Sequence, residues 1–235
     1  MTPLSDKPGQ IPLPIGTFDR YEFTSYQAGR NDEVLTALNS VVQGQDVSNI
    51  YLWGSQGTGK SHLLQAVCSV TTDQGRKSVY IPLSHPDLMP DILTGLTSMD
   101  VVCIDDLDRI AGIEDWELRL FMLFNEMREQ HKPLVFAAHT SPRALNLTLP
   151  DLESRLSWGL VYHLESIDEE TLAIALKTRA RSRMFDLPDE VIDFLIRRVS
   201  RDTHTLFTIL EQLDKASLQS KRRLTVPFVK DLLKL

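Results

Sequence analysis

The chain has 235 residues, with 25 Lys and Arg against 32 Asp and Glu, a formal net charge of −7. Affinity for a phosphate backbone comes from cations that displace counterions, so this balance excludes a chain devoted to DNA binding, though not a local basic patch. The 42% hydrophobic and 24% charged fractions exclude a disordered chain. No run approaches the ~20 apolar residues of a membrane span.

The charge is unevenly placed. Residues 1–170 carry a net −12 and residues 171–235 a net +5, which marks a boundary. Met1–Gln10 has no basic stretch followed by an apolar one, so no secretory signal is read there. Cys68 and Cys103 lie in apolar runs outside any C-x-x-C and read as reduced thiols of a cytoplasmic protein. The histidines show no metal-ligand spacing, so a zinc site is not expected.

In chain order, residues 1–16 hold Pro3, Pro8, Pro12, Pro14, Gly9 and Gly16 and read as an extended, mobile tail. Strands are expected at Asn49–Trp53, Ser78–Pro82, Val101–Ile104, Leu134–Ala138 and Leu160–Leu164. Between them, Ser61–Val70 and Glu114–Gln130 show helical spacing. Five strands separated by helical stretches imply an α/β fold, a five-stranded parallel sheet with helices on both faces. From Ser166 the pattern is helical only. Ser166 to Glu169 reads as a capping box before Leu172–Arg183, and Pro188 as the first helical position before Asp189–Val199. Thr203–Leu218 and Val226–Leu235 complete an all-helical lid. The expected organisation is a tail over 1–16, an α/β body over 17–165 and a small helical lid over 166–235.

Gly54-Ser55-Gln56-Gly57-Thr58-Gly59-Lys60-Ser61 fits G-x-x-x-x-G-K-[ST]. The glycines let backbone N–H groups approach phosphate oxygens, and the following helix, with His62 in its first turn, points its positive end at the same anion. Lys60 suits the β- and γ-phosphates, and Ser61 suits Mg²⁺. An apolar strand before and an amphipathic helix after set this apart from a flexible glycine-rich turn. Asp105 and Asp106 follow the apolar run Val101–Ile104, at the strand end where parallel sheets place ligands. Asp105 is the expected Mg²⁺ carboxylate. Asp106 is read either as a group that orients the attacking water or, with Asp108, as a solvated acid of the turn.

Asn49–Val67, Val101–Leu107 and the run Ser154-Arg155-Leu156-Ser157-Trp158-Gly159 together resemble the AAA+ core of the DnaA family of replication initiators. Leu224–Leu233 is similar to the ending of that family's short regulatory branch, which inactivates DnaA after initiation. The likeness runs from about Phe18 to Leu235, and no room is expected for the helix-turn-helix DNA-binding domain of the longer members. The resemblance implies an adenine nucleotide or another nucleoside diphosphate as cofactor, with Mg²⁺, and the base near residues Tyr21 to Phe23. It also implies two partners, DnaA and the β sliding clamp of DNA polymerase III, with DNA reached only through the clamp. Pairing between copies is left open.

Three site readings rest on this resemblance. Gln10, Ile11, Leu13, Pro14 and Ile15, in the run Gln10-Ile-Pro-Leu-Pro-Ile15, are similar to the branch's clamp-binding motif, Gln-Leu-x-Leu-Pro-Leu. Here the prolines lower the ordering cost of an extended peptide. Arg155 stands where the family has an arginine finger that reaches a neighbouring subunit's nucleotide. A local pair with Asp151 or Glu153 is the plainer alternative. His139 stands where relatives have Asp or Asn as a first γ-phosphate sensor. His204 stands where they have a second-sensor Arg, with Arg198 or Arg201 as substitutes. Histidine is mostly neutral near pH 7 and lacks the bidentate fork of arginine, so the diphosphate is expected to bind at least as tightly as the triphosphate.

The function so implied is negative regulation of replication initiation, by stimulating ATP hydrolysis in DnaA. The alternative is an autonomous AAA+ ATPase such as a helicase loader, which the intact Lys60, Asp105 and Asp106 would allow. A small P-loop kinase would need an Arg-rich lid. Arg179, Arg181, Arg183, Arg197 and Arg198 read instead as a solvated helical surface or one that faces an acidic partner.

Overall fold

The computed structural model describes residues 22–45, 49–199, 203–220 and 223–235, with only the backbone of 25, 182, 204 and 218–220. The tail, with Gln10, Ile11, Leu13, Pro14 and Ile15, lies outside the described residues, as do Tyr21, Arg201 and the side chain of His204.

One sheet is made by β1 (Ile50–Trp53), β2 (Ser78–Pro82), β3 (Val101–Asp105), β4 (Leu134–Ala138) and β5 (Leu160–His163). Its order is β2-β3-β4-β1-β5, and every pairing is parallel. All five strands stand where the apolar runs put them, within a residue at each end. β3 and β4 are buried at every position, as central parallel strands are.

Four helices cover the two faces: α1 (Asp32–Val42), α2 (Lys60–Asp73), α3 (Glu114–Glu129) and α4 (Pro150–Leu156). Alternate residues of a strand point to opposite faces. Tyr51, Ile104 and Phe136 therefore pack with Leu120, Phe124, Leu152 and Leu156 of α3 and α4. Ile50, Leu52, Cys103 and Val135 pack with Leu38, Val41, Leu63 and Val67 of α1 and α2. Both cysteines are free thiols, Cys103 buried and Cys68 half-buried.

The remaining helices, α5 (Glu169–Ser182), α6 (Asp189–Arg198), α7 (Thr203–Ser220) and α8 (Val226–Leu233), form the C-terminal lid. They enclose a core of their own around Leu176, Val191, Leu195, Leu206, Leu210, Leu213 and Val229. Among the described residues no helix is long and apolar enough to cross a membrane.

Three expectations about the lid change. The cap of α5 is Asp168, whose carboxylate accepts from the Thr171 N–H at 2.8 Å, so a single cap two residues further on replaces the expected capping box. Ser166 is thereby released to meet another hydroxyl, that of Ser55. Pro188 is the cap of α6 and not its first helical residue; its extended ψ leaves the helix to begin at Asp189. Arg179 and Arg183 are not solvated. They turn inward to Glu211, at 3.6 and 2.9 Å, and the Arg179 guanidinium lies over the Phe207 ring.

Candidate functional site

The loop between β1 and α2 is shaped by two close approaches. A Cβ on Gly54 would sit 2.6 Å from the Leu164 carbonyl oxygen, and one on Gly59 would sit 2.5 Å from the Tyr26 ring. Gly59, at φ +88°, also needs the left-handed region. Lys60 is buried, and its ammonium donates to the carbonyls of Gly54 and Ser55, both at 2.8 Å. Burial lowers its pKa, against the pull of Asp105, Asp108 and Asp106. The Thr58 hydroxyl donates to the Ser55 carbonyl and braces the loop from inside. Gln56 and Ser55 face solvent, and Gly57 is half-buried. The first turn of α2 leaves N–H groups without intrahelical acceptors at the mouth of the loop, which suits an anion.

Asp105 ends β3 and is 1% exposed. Its carboxylate accepts from the Tyr80 hydroxyl at 2.7 Å and from the Asp106 N–H at 2.9 Å. Burial raises the carboxyl's pKa, and the neighbouring hydroxyls of Ser61 and Tyr80 pull it back. Ser61 and Asp105, expected to share a magnesium ion, are thus neighbours. A hydroxyl and a carboxylate are hard oxygen donors, the kind Mg²⁺ takes beside substrate phosphates. Asp106 is half-buried with φ +58°, a left-handed turn that aspartate tolerates. Tyr80 is one of the residues that sequence reasoning passed over. Removing its hydroxyl in Tyr80→Phe is expected to cost about 1–2 kcal/mol, or about 2–8 °C in Tm, and to weaken Mg²⁺-dependent nucleotide binding. Thermal melts and calorimetry with and without Mg²⁺ check this.

Asp108 is a structural anchor and not a solvated acid. Its carboxylate accepts from the His139 N–H at 2.7 Å, lies 3.1 Å from His139 Nδ1, and accepts from the Thr140 hydroxyl at 3.3 Å. The Tyr51 hydroxyl, donating to the Thr140 carbonyl, holds the same strand end from beneath. One ring nitrogen of His139 is therefore engaged by an internal carboxylate.

The lid meets the loop directly. The Thr203 hydroxyl at the start of α7 donates to the Gly57 carbonyl, and the hydroxyls of Ser166 and Ser55 lie 3.2 Å apart. The element that carries His204 thus begins at the loop. A second connection runs through Asn31, which is buried. Its amide oxygen accepts from the Glu165 N–H, and its NH₂ donates to the Glu165 carbonyl and the Tyr26 hydroxyl. Tyr26 in turn donates to the Thr58 carbonyl of the loop. Burial pushes the Tyr26 pKa up to about 12, so it stays a donor. His62 reaches the Glu22 carbonyl and faces the Tyr26 ring at 5.9 Å.

Arg155 is half-buried on α4, on the sheet face opposite α2. Among the described residues it makes no ion pair with Asp151 or Glu153. Beside it, the Arg128 guanidinium lies 4.3 Å above the ring of Trp158, which is 56% exposed.

The family model of the bacterial DnaA ATPase domain matches residues 18–163. The chain belongs to this DnaA family of AAA+ domains. The Hda lid domain model matches residues 160–233, so the chain joins a DnaA-type ATPase domain to an Hda-type lid. Its fold is that of domain III of the Thermotoga maritima initiation protein DnaA, with a TM-score of 0.79, 23% identity, and coverage of 92% of this chain and 96% of that one. DnaA from Aquifex aeolicus, solved with AMPPCP, matches with a TM-score of 0.68, 22% identity, and coverage of 86% and 68%. The Thermotoga maritima RuvB branch-migration motor shares the fold more distantly, with a TM-score of 0.63, 18% identity, and coverage of 86% and 67%. A DnaA-type AAA+ domain is a nucleotide-binding domain, and the Hda-type lid places the chain in the regulation of replication initiation.

Proposed function

We propose that the chain is an Hda-type negative regulator that supplies Arg155 to ATP-bound DnaA and so stimulates hydrolysis there. The observation that carries this reading is Arg155 itself. A guanidinium on a family finger position, without an internal ion pair among the described residues and across the sheet from the chain's own α2, suits a partner's phosphates better than its own. Such a finger neutralises charge on the transferred phosphoryl group. The test is DnaA-dependent phosphate release with Arg155→Ala.

In this reading the tail 1–16 binds the β sliding clamp through Gln10, Ile11, Leu13, Pro14 and Ile15. The body over 17–165 and the lid over 166–235 act together on one nucleotide in the cytoplasm. Pull-down by clamp is expected with the full chain and lost on removal of residues 1–16; equal capture of both would refute the motif.

The chain's own nucleotide would be held by residues 54–62, with Ser61 and Asp105 toward Mg²⁺ and Asp106 beside them. It would supply two or three negative phosphates that bind body and lid to one another. The γ-phosphate side is weak, because His139 already faces Asp108, and His204 takes the second-sensor place. ADP is therefore expected to bind at least as tightly as ATP, and a clear preference for ATP in calorimetry would reject this. The intact Ser61–Asp105–Tyr80 cluster favours one second reading, an autonomous ATPase such as a helicase loader. Fast phosphate release by the purified chain alone would select it.

A further inference from the structure

α4 is seven residues long, opens with Pro150, and has Leu149 as its cap, with no side-chain cap bond. A helix this short does not fix itself. Leu152 and Leu156 hold its inner face to the core. Its front end is held by Glu117 of α3, a carboxylate 1% exposed. One oxygen accepts from the N–H of Gly112 at 2.7 Å and of Thr148 at 3.1 Å. The other accepts from the Thr148 hydroxyl at 2.7 Å and from the Leu149 N–H at 2.8 Å. Its back end is held by Asn49, also buried, whose side-chain NH₂ donates to the Arg155 carbonyl at 3.5 Å. The chain there runs so close that Gly159 has no room for a Cβ beside the Asn49 carbonyl.

Among the described residues, Asp105 and Glu117 are the two buried carboxylates. Asp105 serves the phosphate loop, while Glu117 lies in the core that packs the opposite sheet face. A buried charge is a poor route to stability, since a well-packed apolar group of the same size often does as well or better. What a carboxylate offers is direction. It gathers four donors from two loops into one fixed arrangement, and those bonds outweigh the upward push of burial and hold its pKa below the ordinary value. The segment fixed this way leads straight into the helix of Arg155.

We propose that Glu117, with Asn49 behind it, is a positioning residue that sets the reach of the Arg155 guanidinium toward the partner's nucleotide. This rests on the arginine-finger reading above. A group acting on a transition state must sit within a fraction of an ångström of its place, and a 1 Å displacement costs about a hundredfold in rate. Glu117 touches neither nucleotide nor phosphate, so its effect is on rate and not on affinity.

The test compares wild type, Arg155→Ala, Glu117→Gln and Thr148→Val in clamp-dependent stimulation of ATP hydrolysis by DnaA. Glu117→Gln keeps the shape but turns one acceptor into a donor facing donors. It is expected to lower the maximal stimulated rate about tenfold or more while the half-saturating DnaA concentration stays within about twofold. Thr148→Val, which removes only the hydroxyl bond, is expected to lower it about threefold. Amide exchange over residues 149–156 should quicken in both, with ADP affinity of the chain unchanged. If Arg155→Ala is inactive while Glu117→Gln works within about twofold of wild type, the positioning role is overturned and the finger stands. If Arg155→Ala stimulates as wild type does, the finger reading falls and this role with it. Should Glu117→Gln fail to fold, Thr148→Val decides, and a wild-type rate in it overturns the proposal.

Discussion

Arg155→Ala is expected to lower stimulated hydrolysis of DnaA-bound ATP by about a thousandfold or more, the usual worth of an arginine finger supplied in trans. The change should fall on rate alone. Arg155 makes no ion pair among the described residues, so truncation leaves no buried charge behind. The backbone carbonyl that accepts from Asn49 and Trp158 is untouched by the substitution. Folding, clamp capture and the chain's own ADP affinity are expected to stay as in wild type. Arg155→Lys should rescue little, because an ammonium on a flexible stem lacks the planar fork that two phosphoryl oxygens can share. Single-turnover phosphate release from DnaA on clamp-loaded DNA measures both variants. A wild-type rate in Arg155→Ala would refute the assignment, whereas a rate restored in Arg155→Lys would reduce the role to that of a point charge.

The sheet was legible because its strands announce themselves locally. Val101–Ile104 and Leu134–Ala138 are apolar on both faces, which only a covered parallel sheet requires. The phosphate loop was legible for the same reason, since its glycines and Lys60 lie within eight consecutive residues. α4 was not, because seven residues hold fewer than two apolar repeats; only Leu152 and Leu156 are buried. α1 was missed although Val34, Ala37, Leu38 and Val41 carry the spacing, since no turn or motif drew attention to it. The supporting polar residues could not have been read. Tyr80 finds Asp105 at 25 positions' distance, Asp108 finds His139 at 31, Glu117 finds Thr148 at 31 and Asn31 finds Glu165 at 134. No local pattern distinguishes such a residue from a solvated one; the sheet order brings the partners together. The capping box failed in an instructive way. Asp168 competes with Ser166 for the same helix end, and the carboxylate wins because it accepts a charge-assisted bond from Thr171. The loser's hydroxyl then joins lid to loop.

Lys60→Ala should weaken ADP binding by about a hundredfold, from the loss of one or two charge-assisted bonds to phosphate oxygens. ATP should lose more. The diphosphate loses Lys60 at the β-phosphate only. The triphosphate loses it at the γ-phosphate as well, where His139 is engaged by Asp108 and offers poor replacement. The ratio of ATP to ADP dissociation constants is therefore expected to rise in the variant. A structural cost must be separated from this, because the ammonium also satisfies the Gly54 and Ser55 carbonyls. Lys60→Gln is one methylene shorter but keeps an uncharged N–H donor for one of them, so it should recover stability before affinity. Calorimetry with both nucleotides, run beside thermal melts, distinguishes the two. Dissociation constants within about threefold of wild type in Lys60→Ala would show that the Lys60 ammonium does not hold phosphate. An equal loss for ADP and ATP would instead place a second γ-phosphate ligand in the site, and His139 or the residues at the start of α7 would be where to look for it.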